Sequence, residues 1–181
     1  MLRALHGPNA SYVEAGLWSG RSRLPLRMIL STASAHKFPA AAVFTQALKT
    51  RAKLSSEVAA DVELALHEAV SNAILHGNLG ISSEGRDTVD GLAIYSQRVS
   101  ERLADQKARR RVVAIEAWWS ARRILIGVTD EGDGFDLTAQ GHMTEAAHGR
   151  GIFIMQAVSQ GISWNQRRRR LLLTFCMSLR T

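Results

Sequence analysis

The chain has a single cysteine among its 181 residues, which excludes an internal disulfide. That residue, Cys176, lies in the apolar run LLLTFCM, where strand packing accounts for it better than reactivity. No apolar run approaches the roughly 18 residues that cross a bilayer. The N-terminus, MLRALHGPNASY, lacks the basic-then-apolar pattern of a secretory signal. Together these absences lead us to expect a cytoplasmic protein with no membrane partner. Acidic residues are also scarce, 16 against 23 Lys and Arg, for a net charge of +7. The excess attracts anions, whether nucleotide, nucleic acid or an acidic protein. It is concentrated at Arg109 to Arg111 and Arg167 to Arg170, and neither run contains the stacking aromatics of a nucleic-acid module. These runs read as solvated turns or strand edges. There is no GxxxxGK[ST] loop, and the third glycine of GxGxxG is missing, so neither a Walker A loop nor a dinucleotide fingerprint is present.

What is present suits one globular domain: 46% hydrophobic content is enough for a core at this length. Residues 1–24 carry little pattern and read as a loosely attached arm. Leu26 to Ala33 is expected to be a first strand. A helix should begin near Pro39, with Ala42, Val43, Ala47 and Leu48 on its apolar face. Ser55 or Ser56 caps the next helix, Glu57 suits its first turn, and Gly77 ends it. The polar, turn-rich stretch 78–91 reads as a loop. Leu92, Tyr95, Val99 and Leu103 then recur at helical spacing among Arg98, Arg102 and Lys107, giving a basic amphipathic helix. It lies either on the domain's own core or against a partner, which leaves a homodimer open. Val112 to Trp119 and Ile124 to Thr129 read as a hairpin, with Trp118 and Trp119 on opposite faces. A helix over Ile152 to Ser159 and a strand over Leu171 to Met177 close the domain.

The most informative stretch is ELALHEAVSNAILHGN, starting at Glu63. Val58, Val62, Ala65, Ala69 and Ala73 form a helical apolar arc. Glu68 and Asn72, one turn apart, project side by side from its shoulder. Desolvating either without a partner is unfavourable. An Asn amide oxygen is a neutral hard ligand for Mg²⁺, which takes few protein oxygens and completes its shell with phosphate and water. A carboxylate one turn earlier can act as a base towards a nearby hydroxyl. The pair also fits an ordinary helix with two polar residues in solvent.

Two glycine boxes follow. Asp130-Glu131-Gly132-Asp133-Gly134-Phe135 directly follows a strand. An aspartate there can accept from an exocyclic amine such as that of adenine, and the glycines allow close backbone approach to a flat ring. The same residues would also make a simple Asp-stabilised turn. His148-Gly149-Arg150-Gly151 precedes an apolar helix, leaving free N–H groups and a positive dipole end open to phosphate. Each box is weak alone, but their order, with ExxxN on a helix, DxGxGF at a strand end and GRG at a helix start, makes one coherent signal.

With these three boxes, residues 25 to 178 resemble the GHKL ATPase superfamily, and most of all its stand-alone anti-sigma-factor serine kinases. The resemblance implies an α+β, two-layer α/β sandwich with a mixed, mostly antiparallel sheet and helices on one face, the Bergerat ATP-binding fold. The domain would span 25–181, with an inserted loop and amphipathic helix at about 79–111 that exceeds the short connection of the serine kinases. By position, ATP and Mg²⁺ would be the cofactors, with Asn72 the metal ligand and Glu68 the base that activates an acceptor serine. Asp130 would read adenine, Gly132 and Gly134 would line its pocket, and Gly149, Arg150 and Gly151 would face the phosphates. The lid, Leu137 to Ala147, is short, and the third nucleotide box is not evident, although Thr174 lies in the strand where it would be sought. With only about 60 residues before the first box, a histidine kinase with its dimerisation hairpin is not the expectation. The implied activity is phosphorylation of an anti-sigma-antagonist protein, with a sigma factor as the second partner. The alternative is a nucleotide-gated switch that captures a regulatory protein without catalysis.

Overall fold

A computed structural model describes residues 12–15, 26–82, 88–132, 150–165 and 169–177. Its strands are β1 (Tyr12–Ala15), β2 (Leu26–Ser31), β3 (Val112–Trp119), β4 (Arg123–Thr129), β5 (Gly161–Asn165) and β6 (Arg170–Cys176). They form one six-stranded sheet in the order β1-β2-β3-β4-β6-β5. Every ladder among the described residues is antiparallel, so the expected parallel component of the sheet is not among them.

Alternation along these strands builds one layer of the core. Leu26, Met28 and Leu30 of β2, Val113, Ile115 and Ala117 of β3, Ile124, Ile126 and Val128 of β4, and Leu171, Leu173 and Phe175 of β6 are all buried. Helices α1 (Thr32–Lys37), α2 (Ala40–Ala52), α3 (Ser56–Asn72) and α6 (Arg150–Val158) bury their apolar residues in the same cluster, so helices cover this face of the sheet. The result is the two-layer α+β sandwich. On the other face, Glu116 is buried beneath two arginines: Arg27 Nε stands 3.4 Å from one carboxylate oxygen, and Arg170 pairs with the other. Gly127 permits this, because a Cβ there would lie 2.8 Å from the Arg170 side chain. Arg170 also lies over the Trp118 ring, 5.4 Å from its centroid, while Trp119 packs against the core from the opposite face. The two tryptophans divide as their alternation requires.

Several expectations need correction. The arm over 1–24 contributes an edge strand at Tyr12–Ala15, paired with β2. The first strand stops at Ser31, whose side chain accepts from the Ser34 backbone N–H and caps α1, a helix the sequence reading lacked. On α2 the buried set is Ala40, Ala41, Phe44, Thr45, Leu48 and Ala52, while Val43 is exposed. The helix turns inwards the residue with more apolar area to bury, Phe44 rather than Val43. Strand β5 also went unread: only Ile162 and Trp164 of its five residues pack on the core, too short an alternation to stand out.

Ser55 caps α3 as expected, accepting from the Val58 N–H. Gly77 does not end that helix. Instead α3 widens into a π-helical turn over Ala73–Asn78, and Gly77 lies inside it. The inserted helix exists as α4 (Val89–Ala104), followed by the short α5 (Gln106–Arg110). Val99 is buried, Tyr95 and Leu103 pack against the core, and Arg102 donates to the Leu79 carbonyl at 2.6 Å. Leu92 and Ile94 remain about half exposed, at 54% and 51%. One stripe of α4 therefore lies on its own domain.

Candidate functional site

Glu68 and Asn72 leave α3 on the side that faces α6, both partly buried. The contact is tight. A Cβ on Gly151 would sit 2.8 Å from Glu68 Oε2 and 3.6 Å from Asn72 Nδ2. Glycine at the second position of α6 thus lets its first turn close on the carboxylate and amide with no side chain between them. Arg150, the first residue of α6, is exposed. His67 Nδ1 stands 3.8 Å from Glu68 Oε1.

A second convergence lies at the end of β4. Asp130 follows the last strand residue, Thr129, as expected, and its Oδ1 accepts from the Gly132 N–H at 2.8 Å. Its carboxylate lies over Gly77, where a Cβ would be 2.5 Å from Asp130 Cγ. Gly132 in turn lies against the Gly77 backbone, and a Cβ on it would stand 2.3 Å from the Gly77 carbonyl oxygen. Two backbones and a carboxylate share a space that any larger residue would break. Gly77 therefore owes its place to this approach rather than to helix termination.

Asn72 of the first group and Gly77 and Asp130 of the second line one cavity of about 60 Å³. Asn72, His76, Gly77 and Asp130 form its polar side, and Ile152, Met155, Ile162 and Trp164 form much of its apolar side. An apolar wall with a carboxylate and an amide among the polar lining suits a heteroaromatic ring carrying an exocyclic donor and a charged tail. Burial pushes the Asp130 carboxyl above its ordinary 3.8, opposed by the Gly132 N–H and by the charges of Arg169 and Arg111.

Of the expected site residues, Asn72 and Asp130 line this cavity, Glu68 and Gly151 lie together beside Asn72, and Gly132 lies against Gly77 without lining it. Arg150 sits at its α6 end. Gly134, Gly149 and the lid residues 137–147 lie outside the described residues. Three further residues that support the site went unread. Asn78, fully buried, accepts from the Glu131 N–H at 2.8 Å, next to Asp130. Arg111 donates to the Asn78 carbonyl at 2.7 Å, and Arg169 to the Gly132 carbonyl at 2.7 Å. The last two belong to the arginine runs expected to be merely solvated. No sequence signal separates them from their neighbours, because their acceptors are far away in the chain.

A sheet roofed by helices, with a carboxylate-amide pair facing a glycine-opened helix start and an aspartate at a strand end, defines a class of nucleotide-binding domain. Residues 31–177 match the histidine kinase-like ATPase domain, and the chain belongs to that family. The GHKL superfamily resemblance carried by the three boxes is therefore correct. No curated protein matches the chain. Among the described residues no helix is long and apolar enough to cross a membrane, and no three His, Cys, Asp or Glu side chains group as a metal site.

Proposed function

We propose that the chain is a cytoplasmic, ATP-binding serine/threonine protein kinase of the anti-sigma-factor type, which phosphorylates an antagonist protein and binds a sigma factor. The observation that carries this reading is the carboxylate Glu68, one turn from the cavity-lining Asn72 and facing Gly151 in the first turn of α6. A domain that only bound nucleotide would not require a base there. The sigma factor and its antagonist come from the likeness of the three boxes to the anti-sigma-factor serine kinases.

The residues present fit ATP with Mg²⁺. Asn72 offers one amide oxygen, so the metal would draw its remaining ligands from phosphates and water, as Mg²⁺ prefers. When bound, Mg²⁺ neutralises phosphate charge and holds the terminal phosphoryl group for in-line transfer. Asp130 accepts from the adenine amine, and Gly77 and Gly132 leave the room that this carboxylate and its loop need beside the cavity. The α6 N-terminus and Arg150 supply positive potential at the phosphate end. Glu68 takes the proton of the acceptor hydroxyl as its oxygen bonds to the γ-phosphorus of ATP and the bond from that phosphorus to the β–γ bridging oxygen breaks, with ADP as the leaving group.

The test is incubation with labelled ATP, Mg²⁺ and a candidate antagonist bearing an acceptor serine. Label should appear on that serine. ATP binding with no transfer to any acceptor, but with partner affinity that differs between ATP and ADP, would replace the kinase by the nucleotide-gated switch.

Asp130 also gives the reading a pH signature. The ionised carboxylate is the form that accepts the amine, so ATP affinity is full above its raised pKa and is lost as pH falls through it. This loss comes at a higher pH than an ordinary carboxylate near 3.8 would give. The effect on folding has the opposite sign: the folded chain holds this proton more tightly than the unfolded one. Asp130 therefore contributes stability at low pH that is lost as pH rises through the folded value. ATP titrations at stepped pH should show the acid step in the parent and not in Asp130→Asn.

A further inference from the structure

We infer that Asn78 is the positioning residue for the adenine-reading carboxylate, and that the π-helical turn exists to deliver it. The inference rests on the ATP reading above and deepens it by assigning base selection to a residue outside the cavity lining. π-helical turns are rare and concentrate at functional sites. This one places two consecutive residues in different roles: Gly77 lies against Asp130 and Gly132, and Asn78 turns into the core with no exposure. A fully buried amide is tolerated only when its donors and acceptor are matched.

Asn78 is matched across three distant elements. Its Nδ2 donates to Thr32 Oγ1 at 2.9 Å, at the start of α1, and to the Val112 carbonyl at 3.1 Å, at the start of β3. Its Oδ1 accepts from the Glu131 N–H at 2.8 Å. Thr32 Oγ1 is oriented in turn by donating to the Arg111 carbonyl at 2.9 Å. The chain after β4 is thus fixed at Glu131 by Asn78 and at Gly132 by the Asp130 carboxylate. Asp130 lies between the strand end and these two anchors, so its carboxylate cannot swing without breaking a part-buried hydrogen bond. Such anchoring matters to the base and little to the phosphates, which are bound at the other end of the cleft.

The experiment compares ATP with inosine triphosphate, which replaces the exocyclic amine by a carbonyl. The parent should prefer ATP by at least about tenfold, as expected for a hydrogen bond to a charged acceptor. Asn78→Ala should bring the ratio to near unity while retaining binding of both nucleotides. Thr32→Val removes one anchor of the amide and should lower the ratio about threefold, and Thr32→Ser, which keeps the hydroxyl, should restore it. Thermal unfolding identifies the folded variants, and the Thr32 pair carries the test if Asn78→Ala does not fold. A purely structural Asn78 would weaken both nucleotides equally, and an unchanged ratio in folded variants would overturn the inference while leaving the ATP reading intact. A parent that binds neither nucleotide would overturn both.

Discussion

Glu68→Gln is expected to bind ATP about as tightly as the parent and to phosphorylate an acceptor serine about 10²–10⁴-fold more slowly, the usual contribution of a positioned general base. Gln has the size and hydrogen-bonding outline of Glu and lacks only the basic carboxylate. The packing of α6 against this side chain should therefore survive. That packing is close, since a Cβ on Gly151 would stand 2.8 Å from Glu68 Oε2. For the same reason Glu68→Ala is a poorer probe: it opens a void beneath the first turn of α6 and mixes geometry with chemistry. Nucleotide affinity and single-turnover transfer measured on the same preparation separate the two effects. Equal transfer rates in parent and Glu68→Gln would remove Glu68 from the chemistry.

Asn72→Ala should have the other large effect, in binding. An amide oxygen that holds Mg²⁺ acts only when the metal is present, so the loss of ATP affinity should exceed about tenfold with Mg²⁺ and nearly vanish with a chelator. Asn72 is the last residue of α3, where the helix passes into the π-helical turn that carries Gly77 and Asn78. A structural defect at this junction would weaken ATP equally with and without the metal. Calorimetric titrations in both conditions distinguish the outcomes.

The site was more legible in the sequence than the framework that aims it. Glu68 and Asn72 could be paired because helical spacing is local, and Asp130 could be placed because its strand ends one residue earlier. Chain order then joined boxes that are individually weak. By contrast, nothing near Asn78 indicates that its amide meets Thr32, Val112 and Glu131, since these contacts exist only once the sheet has formed. Arg111 and Arg169 were hidden in the same way among neighbouring arginines. Gly77 shows the opposite failure. A glycine late in a helical pattern suggests a C-cap, but here the missing side chain makes room for the carboxylate of Asp130. Of the core, the strands with regular alternation were visible, whereas α1 and β5, with six and five residues, were too short to show a period.

Calorimetric titration of the purified chain with ATP in the presence of Mg²⁺ tests the central claim most directly. The account predicts one saturable site per chain, weakened by removing the metal and weakened again by Asp130→Ala. Absence of saturable ATP uptake, or uptake unchanged by Asp130→Ala and Asn72→Ala, would contradict it.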